Sequence, residues 1–350
     1  MKHILVLLTA CVLLSSPVRA AEGWTQALPP LIRESFVSEE NFVLSALEAL
    51  LQMGEDVLHG ALSQSVSGAL KLVLIALLCG MAQSLSEGVG KGFPVVTLTG
   101  ALAITSVAAG DLRSLIGLGA AAMEELGVFA RMLLPTMASA IAGGGFPVTA
   151  GIWQVATLFV CDFLLRVVRE LLLPAAYCYI GLCTAGAILP ASRLDLLAKG
   201  LKKAITWFLC AMMSIFTVFL TMSSVLSGSA DKTAVKMTKS AITGAVPIIG
   251  GILSETTEAV LAAASALRSV VGAAGIFSVL AICLAPLLQL GIQFLSYQLA
   301  AFLASFSGVK PLDALIERLG ECFALIFAMT AACALVLLVA ILVSVTMVVM

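Results

Sequence analysis

The residues of this chain best suited to chemistry are polar side chains set within apolar sequence. Asp162 and Arg166 stand four residues apart, on one face of a helix, and Arg169 and Glu170 follow within the next turn. That spacing lets acid and base partly neutralise each other, and charge within an apolar run is costly enough to mark a pathway or a partner contact. A neutralised interfacial corner ahead of Pro174 accounts for the same residues. Gln289 and Gln293 form a second pair at helical spacing, with Tyr297 and Gln298 nearby. Amides in such a setting hydrogen-bond a neighbouring helix or line a polar pore. The third candidate is the pair Glu255 and Glu258, in the stretch AVPIIGGILSETTEAVLAAASAL at residues 245–267. Pro247, Gly250 and Gly251 sit where a helix would have to continue, Ser254 offers a fresh N-cap, and both glutamates fall in the first turn, where the helix dipole favours negative charge. The pattern predicts a helix that stops and restarts. Broken backbone in a membrane is tolerated only where it is buried in protein or lines a wet cavity. The competing reading is a membrane-surface loop followed by an amphipathic helix.

Other chemistries are excluded by count or by missing motif. The only histidines are His3 and His59, too few for a histidine-based metal centre. No GxxxxGK[ST] phosphate loop, HExxH or GxSxG occurs, so no catalytic or metal-ligating residue is assigned, no cofactor is expected, and energy must come from a gradient or another subunit. Eight of the nine cysteines lie in or beside apolar runs and Cys11 lies near the start, which suits packing better than disulfides. With a net charge of -1 and no basic run interleaved with aromatics, nucleic acid is set aside as a partner.

The elements that must position these groups are membrane helices. The chain has 350 residues, 61% of them hydrophobic and 11% charged, and a mean hydropathy of +1.13. A soluble domain cannot hide so much apolar surface behind so few charges. The expected fold is all-α, a polytopic membrane protein. Residues 1–20 have the basic start, apolar centre and small-residue end of a signal peptide. Residues 21–65 form an acidic N-terminal region in which Phe42, Leu44, Leu47, Leu50 and Leu51 recur at helical spacing, an amphipathic pattern. Residues 66–350 form the multi-pass domain, with about eight spans expected at 66–84, 93–110, 132–161, 171–189, 204–226, two within 269–309, and 322–349. Gly143, Gly144, Gly145 and Pro147 interrupt the uncharged run 132–161, which is either one kinked span or two short ones meeting at a hairpin. The distribution of Lys and Arg between loops favours the single kinked span and an outside C-terminus. Residues 193–203, RLDLLAKGLKK, read as a basic amphipathic helix suited to an anionic lipid surface.

Taken in order, the leader, the acidic amphipathic region and the segments VPIIGGILSETTEAVLAAASALRSVVG, ICLAPLLQLGIQFLSYQLAAFL and CFALIFAMTAACALVLLVAILVSVT resemble the stage III sporulation protein AE family of endospore-forming bacteria. The resemblance covers most of the mature chain and is strongest from Ala241 onwards. It implies a multi-pass protein of the mother-cell membrane surrounding the forespore, the permease-like core of a trans-envelope channel. Its implied partners are other products of the same operon, including an ATPase-like protein and ring-forming proteins, and a forespore membrane protein. The residues by themselves leave open a self-sufficient secondary transporter for a small solute or ion, and a purely structural scaffold.

Overall fold

The computed structural model describes residues 42–87, 95–143, 147–188, 192–245 and 250–346, and among these no strand occurs. The elements are α1 (Phe42–Glu87), α2 (Val95–Gly143), α3 (Pro147–Val167), a π-helical segment (Val168–Leu172), α4 (Leu173–Ile188), α5 (Ser192–Ala245), α6 (Gly250–Ala304), a 3-10 turn (Ser305–Ser307) and α7 (Lys310–Thr346). Among the described residues, six helices are long and apolar enough to cross a membrane: Val43–Leu85, Val95–Gly143, Val148–Ile188, Arg193–Phe219, Ser269–Ser307 and Lys310–Val345. The expected signal peptide lies outside the described residues.

Helices α6 and α7 form the core. They run antiparallel, with Gly320 against Tyr297, Gly291 against Phe327 and Gly275 against Ile341. The turn between them needs Gly308, whose φ of 77° is left-handed, a conformation that costs any residue with a Cβ about 1–2 kcal/mol. More than half of the apolar window of each is buried, against a third or less in the others. Helices α1, α2, α4 and α5 pack around this hairpin, and lipid-facing character falls to exposed side chains such as Leu70, Leu74, Trp207 and Ile215. Helix α2 lies close to both core helices: a Cβ on Gly119 would stand 2.9 Å from Ile326 Cγ2, and one on Gly275 would stand 2.9 Å from Leu133 Cδ2. Association of helices in lipid depends on such close packing, because lipid tails are as apolar as leucine.

The described residues hold six spans where about eight are expected, and the difference has a common cause. The expected pair of spans within 269–309 is instead one helix, residues 269–304 running unbroken as part of α6 with Pro286 inside it. Proline removes one ladder hydrogen bond, but neighbouring helices and local adjustment compensate within membranes. Residues 95–110 and the start of 132–161 are likewise joined, because the charged segment 111–131 stays helical within α2. The single kinked span at 132–161 is corrected: α2 ends at Gly143 and α3 begins at Pro147, and the two run antiparallel, with Arg131 paired to Asp162 and Glu124 to Arg169. Pro147 occupies the first helical position, where its missing N–H has no partner to lose. Residues 193–203 are not a separate surface helix but the first turns of α5, continuous with the apolar run that follows. Helix α1 similarly continues without a break from the amphipathic stretch into the first apolar run. At 46, 49, 54 and 55 residues, α1, α2, α5 and α6 extend to roughly 70–80 Å, more than twice the ~30 Å hydrocarbon core of a bilayer.

Candidate functional site

Among the described residues, a chain of polar groups joined by hydrogen bonds between three helices lies where α1, α2 and α6 meet. Gln289, Gln293 and Tyr297 recur every fourth residue, so one face of α6 carries all three. The Ser65 hydroxyl of α1 donates to Gln293 Oε1 at 2.5 Å. Gln293 Nε2 in turn donates to Asp111 Oδ2 of α2 at 3.0 Å, and the Tyr297 hydroxyl donates to the same oxygen at 3.1 Å. Ser65, Gln293 and Tyr297 are buried, and the Tyr297 ring is held edge-on against Phe323 at a centroid distance of 4.9 Å. Position 68 of α1 is glycine, and a Cβ there would stand 3.3 Å from Asp111 Oδ2. Beside this chain of hydrogen bonds opens a cavity of about 420 Å³, whose polar lining includes Asp56, Gln64, Ser114 and Gln289.

A second cluster ties α4, α5 and α7 together. Glu321 accepts from the Tyr179 hydroxyl at 2.7 Å and pairs with Lys202 at 2.6 Å. Asp195 pairs with Arg318 and, one turn along its own helix, with Lys199. These groups fix the entry of α5 against the first turns of α7, which makes the cluster a clamp between elements. The third polar region is the α2–α3 pairing, where Arg131 and Asp162 stand 3.0 Å apart, as do Glu124 and Arg169, all four side chains more than half exposed. The π-helical segment lies at this level. Pro174 cannot donate to the carbonyl four residues back, and the ladder there widens, with the Leu173 N–H directed to the Val168 carbonyl.

The two glutamines expected as a pair line the same cavity, and Gln293 also hydrogen-bonds to α1 and α2. Asp162 takes Arg131 as its partner instead of Arg166 on its own helix, because the antiparallel α2 presents a guanidinium directly to it. Arg166 forms no ion pair among the described residues. Pro247, Gly144 and Gly145 lie outside the described residues, as do the side chains of Glu255 and Glu258, whose backbone is helical within α6. Gly250 and Gly251 open α6, so Ser254 lies inside that helix and not at its start. Asp111 and Ser65 went unassigned in the sequence because each sits at the edge of an apolar run and reads as its boundary. The signal that could have found Asp111 is the three-residue polar face of α6, which requires a facing acceptor.

The family model described as stage III sporulation protein AE matches residues 31–348. A curated relative, stage III sporulation protein AE of Bacillus subtilis (strain 168), is 20% identical over 208 residues, covering 59% of this chain and 52% of the relative. The chain thus aligns with about half the length of that relative. No solved structure matches.

Proposed function

Because this chain belongs to the stage III sporulation protein AE family, we propose that it is a non-enzymatic, permease-like membrane subunit of a channel complex joining mother cell and forespore across the intervening envelope. The observation that carries this reading is the α2–α3 hairpin. Its two ion pairs lie between uncharged runs, residues 114–123 and 132–143 of α2 and residues 147–161 and 171–188 of the segment that continues from α3 through the π-helical turn into α4, and their side chains are more than half exposed on the isolated chain. A charged surface flanked by apolar helix is costly against lipid tails and well suited to contact with further protein or to a wet passage. The partners of such a subunit are the other stage III operon proteins, among them an ATPase-like and ring-forming subunits that supply the energy, and a forespore membrane protein. Its place is the mother-cell membrane surrounding the forespore.

The secondary-transporter reading draws support from a different observation, the polar cavity between α1, α2 and α6. One pair of experiments separates the two. Deletion of the gene blocks spore formation after engulfment and the tagged protein co-purifies with its operon partners if the channel reading holds. Sporulation at normal yield without it overturns that reading, whereas substrate movement by the protein alone in liposomes favours the transporter.

A further inference from the structure

Beside the two ion pairs of the α2–α3 hairpin stand three further charged residues that the chain itself does not match. Arg166 of α3, Glu125 of α2 and Glu170 of the π-helical segment are exposed and form no ion pair among the described residues. A guanidinium does not shed its charge, so Arg166 needs an anion or water wherever it stands. Its depth sharpens that need. The pairs Arg131–Asp162 and Glu124–Arg169 share one antiparallel register, in which Arg166 stands opposite Gly127. Gly127 and Leu165 pack in turn against Cys333, Val336 and Leu337, in the middle of the uncharged run 322–346 of α7. At 1.5 Å per helical residue that is roughly 15 Å from either end of the run, farther than an arginine side chain snorkels. Around Arg166 the exposed face carries Phe159 and Phe163, whose rings stack at 6.2 Å, with Val128 and Met132 of α2. Arginine among aromatic and methionine side chains is the composition of an interface centre.

We infer that this face of the α2–α3 hairpin meets a second copy of the same chain, with Arg166 set against Glu125 of the partner subunit. Copies inserted in one direction associate about an axis along the membrane normal, so each residue meets others at its own depth. A face that pairs with itself must then hold base and acid at neighbouring depths. This one does, since Arg166 stands opposite Gly127, which is two residues from Glu125 along α2. A partner of one charge sign would set either Arg166 or the two glutamates against their own kind, which an interface avoids. A second copy brings both signs. The inference deepens the reading of the α2–α3 surface as a protein contact and rests on it, but it does not depend on which complex the chain joins.

The test uses the purified full-length chain alone, in mild detergent and in liposomes. Subunit counting by single-molecule photobleaching should find two or more chains per particle, at dilutions where chance co-occupancy is negligible. Arg166→Glu and Glu125→Arg each set like charges together and should each raise the dissociation constant by more than about tenfold. Mixed with each other, the two variants should associate again, because each supplies the charge the other lacks. A role confined to folding within one chain would not produce that rescue. Should Arg166→Glu not fold, Arg166→Gln carries the same expectation of weakened association. A wild-type chain that is monomeric in both media overturns the inference, as does wild-type association in every folded variant or a mixture that stays apart. A monomer whose α2–α3 face becomes protected only when the operon partners are added also overturns it, and leaves the channel reading standing.

Discussion

Replacing Gln293 with Leu keeps side-chain volume close to constant while deleting the link between three helices. In the native chain Gln293 accepts from Ser65 at 2.5 Å and donates to Asp111 at 3.0 Å, and both Ser65 and Gln293 are almost fully buried, at 3% and 4% exposure. The substitution therefore has two separable costs. Asp111 loses one of two donors, a hydrogen bond to a charged group worth about 1.5–3 kcal/mol in soluble proteins. Interhelical hydrogen bonds measured in a membrane average only about 0.6 kcal/mol, because the unfolded reference finds partners too, so the lower end applies here. Ser65 loses its acceptor, but a helical serine can turn its hydroxyl to the carbonyl four residues back, which keeps that cost near the bottom of the ~1–3 kcal/mol range for an unsatisfied buried group. Together these give a loss of about 2–3 kcal/mol.

The assay is reversible unfolding of the purified protein, by denaturant or by steric trapping, for Gln293→Leu, Ser65→Ala and the double variant. If the hydrogen bond is formed, Ser65→Ala removes the stranded hydroxyl, and the double variant is more stable than the sum of the singles predicts by about 1 kcal/mol. Additivity within about 0.3–0.5 kcal/mol would show that the two residues do not touch. The junction of α1 with α6 would then have to be redrawn.

Two further outcomes test the other polar regions. Reversing Arg131 to Asp sets like charges against each other across the α2–α3 hairpin, and exchanging the pair as Arg131→Asp with Asp162→Arg should restore stability. Each step is about 1 kcal/mol at these exposed positions, read as the level of folded protein in membranes, and failure of the exchange to rescue would refute the antiparallel pairing. Glu321→Ala leaves Lys202 and Tyr179 without their shared acceptor and should cost about 1–2 kcal/mol. Glu321→Gln keeps an acceptor for the tyrosine and should cost less in the same unfolding assay, and equal losses would mean that Tyr179 contributes nothing to the clamp.

The distribution of these polar groups shows which features local sequence can reveal. The all-helical membrane character follows from composition alone, because no arrangement of 11% charged residues covers so much apolar surface. The shared cavity wall of Gln289 and Gln293 follows from helical periodicity, which places both on one face before any neighbour is known. Helix continuity does not follow in this way. Charged residues at 111–131 and the proline at 286 look like span boundaries to a rule that seeks uncharged runs of bilayer length, yet both lie inside helices. Charge ends a span only if its environment is lipid, and here the environment includes other helices that supply opposite charge, as α3 does for Arg131. A run of glycines is different, since it removes side-chain packing and raises the entropy of the chain whatever surrounds it, and the run at 143–145 does coincide with the end of α2.

The same reasoning assigns different roles to the three polar regions. The clamp of Tyr179, Lys202 and Glu321 satisfies its charge within the chain, so its loss should be felt as stability. The α2–α3 pairs also balance their charge, but with side chains more than half exposed they leave hydrogen-bonding capacity facing outward, which in a membrane calls for another protein surface or water. The third region is held by hydrogen bonds instead of ion pairs, with Gln293 and Tyr297 both donating to Asp111 Oδ2. The arrangement of Ser65, Gln293 and Tyr297 around Asp111 therefore joins α1, α2 and α6 through hydrogen bonds between groups from different helices, and its loss should be felt as a loosening of that three-helix junction.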